Sequence, residues 1–105
     1  MSRILIVDDN DTLGSGVVLM LQRMGHDGVA VTSGPEGLER LKGQAYDLVI
    51  TDYRMDEMNG LQVLEAVKVQ SPGTDIMMMT AHGTIEIAVE AMKLGAVDFI
   101  SKPFP

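Results

Sequence analysis

The stretch "IVDDND", Ile6 to Asp11, decides how the chain is read. An apolar run, Ile4-Leu5-Ile6-Val7, stops at Asp8 and Asp9, and Asp11 follows closely. A short, continuous apolar run bounded by polar residues reads as a strand covered on both faces. Like charges side by side at its end are costly. Two carboxylates ~4 Å apart repel by roughly 4 kcal/mol at an effective dielectric of about 20. Something positive is expected between them.

Working outward, four more runs resemble the first. The strand candidates are residues 3–7, 28–32, 48–51, 75–79 and 97–100. Helical patterns lie between them. Leu13, Val17, Met20, Leu21 and Met24 recur at helical spacing, with Gly25 placed to cap the end. Ser33-Gly34-Pro35-Glu36 reads as a capping box with Pro at the first helical position. Leu38 and Leu41 then face inward, and Gly43 stops that helix. Leu61, Leu64 and Val67 mark a third helix, ending near Ser71-Pro72-Gly73. Ile85, Ala88, Val89 and Met92 mark a fourth, opened by Thr84 and closed by Gly95. The order β-α-β-α-β-α-β-α-β predicts an α/β fold with a doubly wound, five-stranded parallel sheet and right-handed crossovers. The chain stops at Pro105, directly after the fifth strand. The expectation is one domain, residues 1–105, without a fifth helix and with apolar sheet surface left bare.

The bulk numbers narrow the function classes. A chain of 105 residues suits one domain with one modest core. At 46% hydrophobic residues it is not composed like a disordered chain. Fifteen acidic side chains against eight basic give a formal charge of −7. That balance disfavours direct nucleic-acid contact and favours metal cations or a basic partner surface. The absence of cysteine rules out disulfides and thiolate metal ligands. No signal-peptide pattern opens the chain, and no apolar run approaches the roughly 20 residues that cross a bilayer. The expectation is a soluble domain without membrane contact.

In an open parallel sheet, ligands bind beyond the carboxyl ends of the strands, where strand order reverses. Asp8 and Asp9 follow the first strand, and Asp52 follows the third. If those strands are neighbours, three carboxylates meet. Hard oxygen ligands in that number suit a divalent cation, Mg²⁺ above all. Thr80 ends the fourth strand with a hydroxyl, and Lys102 follows the fifth with an ammonium. Together these groups form a phosphoryl site. Metal and ammonium would neutralise phosphate oxygens, the hydroxyl would donate to one, and a carboxylate could be the nucleophile. Each residue alone has a bland reading as a turn, cap or surface group; the joint pattern carries the weight.

Four motifs in order carry a family resemblance: Val7-Asp8-Asp9, "DYRMDEMNG" from Asp52 to Gly60, Thr80-Ala81, and Lys102-Pro103-Phe104. The chain resembles a receiver domain of a two-component response regulator. "TAHGTIEIAVEAMKLGAVDFISKPF" is most similar to receivers of nitrogen-regulator-type transcription activators. The resemblance implies a flavodoxin-like strand order, 2-1-3-4-5. It implies that Asp52 is the phosphoacceptor, with Mg²⁺ held by Asp8, Asp9, Asp52 and the Arg54 backbone carbonyl. Thr80 and Lys102 would bind the phosphoryl group, and Phe99 would be the switch aromatic. The Lys102–Pro103 bond would be cis, which an X–Pro bond tolerates. The resemblance also implies that His82 would lie near the attacking water and, with Arg54 at the site mouth, tune dephosphorylation; the alternative is that both are solvated loop residues. The implied partners are a sensor histidine kinase and, through helix four and strand five, an output domain or a second copy. The implied setting is cytoplasmic phosphorelay signalling that controls transcription. The domain would catalyse its own phosphorylation and dephosphorylation while acting mainly as a regulator.

Asp56 stands where the family usually has Pro, adding charge near the site. It is read either as a tolerated loop change or as a modifier of metal affinity. His26 is read as a turn residue, Met77 to Met79 as core filling, and Asp11 as a cap or first-turn acid. Competing functions are a receiver-like interaction module that is not phosphorylated and a flavodoxin-like cofactor binder. The latter needs a hydroxyl- and Gly-rich phosphate loop, where this chain has Asp8-Asp9-Asn10-Asp11. No GxxxxGK[ST] loop occurs. A haloacid-dehalogenase-type phosphatase is met formally by Asp9-Asn10-Asp11, but Thr12 comes one residue too early for it.

Overall fold

A computed structural model describes residues 2–102. The elements run β1 (Arg3–Val7), α1 (Asp11–Arg23), β2 (Asp27–Val31), α2 (Gly34–Gly43), β3 (Leu48–Thr51), α3 (Gly60–Gln70), β4 (Asp75–Thr80), α4 (Ile85–Lys93) and β5 (Asp98–Ser101). All strands are parallel, in the order β2-β1-β3-β4-β5. The expected fold class and strand order hold. The boundaries of β2, β4 and β5 move by one residue, and Val97 lies just outside β5, exposed.

Period-two alternation splits each strand between two cores. Leu5 and Val7 face one side with Val49, Ile76 and Met78, under Val63, Leu64 and Val67 of α3 and Ala91 of α4. Ile4 and Ile6 face the other with Ile50 and Met79, under Val17 and Leu21 of α1. Fully burying one such side chain contributes about 1.5–3 kcal/mol. The three methionines divide between the faces, Met78 on the first and Met77 and Met79 on the second. They are core filling, as read. On the α1 side, Ile4, Ile6, Ile50 and Met79 are buried, while Leu48, Met77 and Ile100 are half-buried. The bare sheet surface expected there is therefore only partial.

Capping places the helix starts at the strand ends. Asn10 Oδ1 accepts from Leu13 N (3.1 Å), which makes Asp11 a first-turn acid. Ser33 caps α2, accepting from Glu36 N (3.3 Å). Pro35 is the second helical residue, and the Glu36 carboxylate accepts from Thr32 N and Thr32 Oγ1 rather than from Ser33 N. The reciprocal capping box belongs to α3, where Asn59 and Gln62 each accept the other's backbone N–H at 2.9 Å. Gly25 and Gly95 adopt φ of 87° and 104° after α1 and α4, a left-handed turn that favours glycine. His26 is a turn residue whose Nδ1 accepts from Ser2 N (3.1 Å).

Candidate functional site

Strand order reverses at β1, with β2 on one side and β3 on the other. The register pairs Val7 with Thr51, so Asp8 and Asp52 leave the sheet side by side. Both are buried, and Asp9 is exposed. One carboxylate oxygen from each of Asp8, Asp9 and Asp52 lies within 4.8 Å of the others. They open into a cavity of about 410 Å³ lined also by Asn10, Leu13, Arg54, Met55, Asp56, Ala81, His82 and Lys102.

The buried carboxylates are held alike. Asp8 Oδ1 accepts from Asn10 N (2.9 Å) and Asp52 Oδ1 from Tyr53 N (2.8 Å). Their Oδ2 atoms face Lys102, whose Nζ lies 2.7 Å from Asp8 and 3.7 Å from Asp52. The cation expected between like charges is thus supplied in part by the chain itself. Three carboxylates against this one ammonium leave an excess of two formal negative charges. That excess, on hard oxygen donors, fits a divalent cation.

Thr80 is fully buried and does not line the cavity. Its Oγ1 accepts from His82 N (3.1 Å), and its carbonyl oxygen accepts from Lys102 N (2.9 Å). Phe99 is half-buried on the first core, away from the carboxylates. Arg54, Asp56 and His82 are exposed at the cavity mouth. The Lys102–Pro103 bond falls outside the described residues.

Sequence reasoning passed over two glycines. A Cβ on Gly60 would collide with the Asp52 carbonyl oxygen and would lie 2.9 Å from Tyr53 Cα. Gly60 N also donates to Tyr53 O (2.8 Å), so α3 starts pressed against the backbone of Asp52. A Cβ on Gly83 would lie 2.7 Å from Phe99 Cζ. Gly60 ends the stretch "DYRMDEMNG", but the contact that requires glycine there has no local sequence signal.

A five-stranded parallel sheet with an aspartate triad and a lysine at its switch point defines a receiver fold. The model of the response regulator receiver domain family matches residues 4–105, and the chain belongs to this family. Curated relatives include the transcriptional regulatory protein ZraR of Escherichia coli K12, 38% identical over 100 residues, or 95% of this chain and 23% of that protein. The alginate biosynthesis transcriptional regulatory protein AlgB of Pseudomonas aeruginosa is 38% identical over 101 residues, 96% of this chain and 22% of that protein. The chain thus spans less than a quarter of these relatives. Among solved structures, a response regulator receiver domain protein from Clostridium thermocellum superposes with a TM-score of 0.93 at 30% identity, covering 100% of this chain and 85% of that one. The beryllofluoride-activated NtrC4 receiver domain dimer gives 0.93 at 28% identity, covering 100% and 87%. The resemblance to receivers of nitrogen-regulator-type activators holds.

Proposed function

We propose that this domain is a phosphorylation-dependent switch with Asp52 as its phosphoacceptor. The observation that carries the reading is the Lys102 ammonium shared by Asp8 and Asp52 in the wall of the acidic cavity. Asp8, Asp9, Asp52 and the Arg54 carbonyl would hold Mg²⁺. When bound, the ion neutralises the carboxylates and the oxygens of the transferring group.

An Asp52 carboxylate oxygen attacks the phosphorus of a phosphohistidine or a small acyl phosphate. The bond from phosphorus to the donor's nitrogen or oxygen breaks, and the donor leaves with its electron pair. Asp52 becomes an acyl phosphate. Lys102, already 3.7 Å from Asp52, pairs with a phosphoryl oxygen. The Thr80 hydroxyl, which now accepts from His82 N, uses its own O–H to donate to another and moves toward it. Phe99 then turns inward, and the α4–β5 surface changes. Phosphorylation biases a two-state equilibrium through these differential contacts. Arg54 and His82, at the cavity mouth, tune access of the hydrolytic water.

The donor is a sensor histidine kinase in the cytoplasm, and the output is transcriptional, as in the regulators this domain resembles. Ile85, Val89 and Met92 form an exposed apolar stripe on α4, and Val97, just before β5, is exposed as well. This surface meets an output domain or a second copy; the NtrC4 receiver is a dimer. The domain itself, at a formal charge of −7, makes no nucleic-acid contact.

The test is intact mass after incubation with Mg²⁺ and acetyl phosphate, for the parent and Asp52→Asn. One phosphoryl group on the parent and none on the variant is the expected result. No addition to either would leave the unphosphorylated interaction module as the better reading.

A further inference from the structure

The geometry points to Gly83 as the residue that sets where the Phe99 ring lies. A Cβ at Gly83 would lie 2.7 Å from Phe99 Cζ, 2.8 Å from Phe99 Cε1 and 3.4 Å from Thr80 Cγ2. Carbon atoms in good contact sit about 3.5–4.0 Å apart. The ring edge therefore occupies the volume that any side chain at position 83 would need.

Backbone conformation does not demand glycine there. The glycines with positive φ are Gly25 and Gly95. Gly83 has a backbone that other residues adopt, and it sits just before Thr84, whose side chain caps α4. Space, not φ, opposes a side chain there: the Phe99 ring has to shift to admit one.

The same loop is tied to Thr80 through the bond from His82 N to Thr80 Oγ1 (3.1 Å). Thr80, the 81–84 loop and the Phe99 ring thus form one packed unit at the ends of β4 and β5. A displacement of the Thr80 hydroxyl is passed to the loop through His82 N, and the ring gains or loses its place against Gly83. The inference rests on the proposed switch for its consequence, but its first step concerns the unphosphorylated domain alone. A methyl group at position 83 displaces the ring with no phosphoryl group present. Gly83 is a positioning residue; it acts through Phe99.

The experiment is NMR of ring-labelled phenylalanine on the parent, Gly83→Ala, Phe99→Leu and the double variant. The chain holds two phenylalanines, so the Phe99 signal is assigned by its loss in Phe99→Leu. In unmodified Gly83→Ala the Phe99 signal is displaced from the parent's, and acetyl phosphate adds a smaller further change than in the parent. In the double variant, backbone signals of residues 81–84 return to those of Phe99→Leu. An unmoved Phe99 signal in Gly83→Ala overturns the inference, and so does an undiminished response to acetyl phosphate. If Gly83→Ala does not fold, a folded double variant supports the clash, and an unfolded one overturns it. Should the parent take up no phosphoryl group, the switch reading fails, while the ring position in the unmodified protein still decides the role of Gly83.

Discussion

Lys102 and Asp8 form a 2.7 Å ion pair between residues 94 apart in sequence, with both side chains largely buried. The pair joins the end of β5 to the end of β1 across β3 and β4. The ammonium also reaches Asp52 at 3.7 Å, so one cation serves two carboxylates.

Removing that cation leaves two buried carboxylates facing each other. Lys102→Ala is expected to lose about 3 kcal/mol, the low end for breaking a buried pair. Saturating Mg²⁺ recovers most of the loss, because a divalent ion takes over the neutralisation. Urea unfolding with and without Mg²⁺ measures both effects. Parent-like stability without metal would show that the pair carries no net stabilisation.

Asp9 differs from Asp8 and Asp52 in being exposed. Asp9→Ala should therefore cost no more than about 0.5 kcal/mol in metal-free buffer. If the triad holds Mg²⁺ as proposed, the effect of Asp9→Ala is expected in ion binding. At Mg²⁺ one hundred times Kd, the parent gains about 2.7 kcal/mol by linkage, and Asp9→Ala gains little. Equal gains in both proteins would remove Asp9 from the metal site.

Gly60 lets α3 begin against the backbone that carries Asp52. Gly60→Ala forces these segments apart, at a cost of about 1–3 kcal/mol for overpacking. The larger consequence falls on Asp52, whose Oδ1 is fixed by Tyr53 N. The rate of phosphorylation by acetyl phosphate should drop, by up to about a hundredfold for a misplacement near 1 Å. A parent-like rate with lowered stability would confine Gly60 to a packing role.

Tyr46 is buried, and its hydroxyl has no hydrogen-bond partner among the described residues. An unsatisfied buried hydroxyl costs about 1–3 kcal/mol. Tyr46→Phe should thus be neutral or raise stability by about 1 kcal/mol, read as a higher urea midpoint at unchanged slope. A lower midpoint would reveal a partner for the hydroxyl, such as a bound water.

The local pattern of the chain determined the element order, because strand and helix periodicities depend on neighbours two to four residues away. It also marked Asp8, Asp9, Asp52 and Lys102, since charges directly after apolar runs stand out in one dimension. The capping box was misplaced. Ser33 and Asn59 both precede a Glu or Gln at the right spacing, and only side-chain reach decides which closes reciprocally. Tertiary structure alone decided three things. It made Lys102, rather than only a bound metal, the cation between the carboxylates. It left Thr80 buried and outside the cavity lining, with its hydroxyl accepting from His82 N. It set Gly60 against Asp52 and Gly83 against Phe99. Each of these rests on which strand ends become neighbours. The parallel sheet fixes that by pairing segments distant in the chain, and their contacts leave no periodic trace in the sequence.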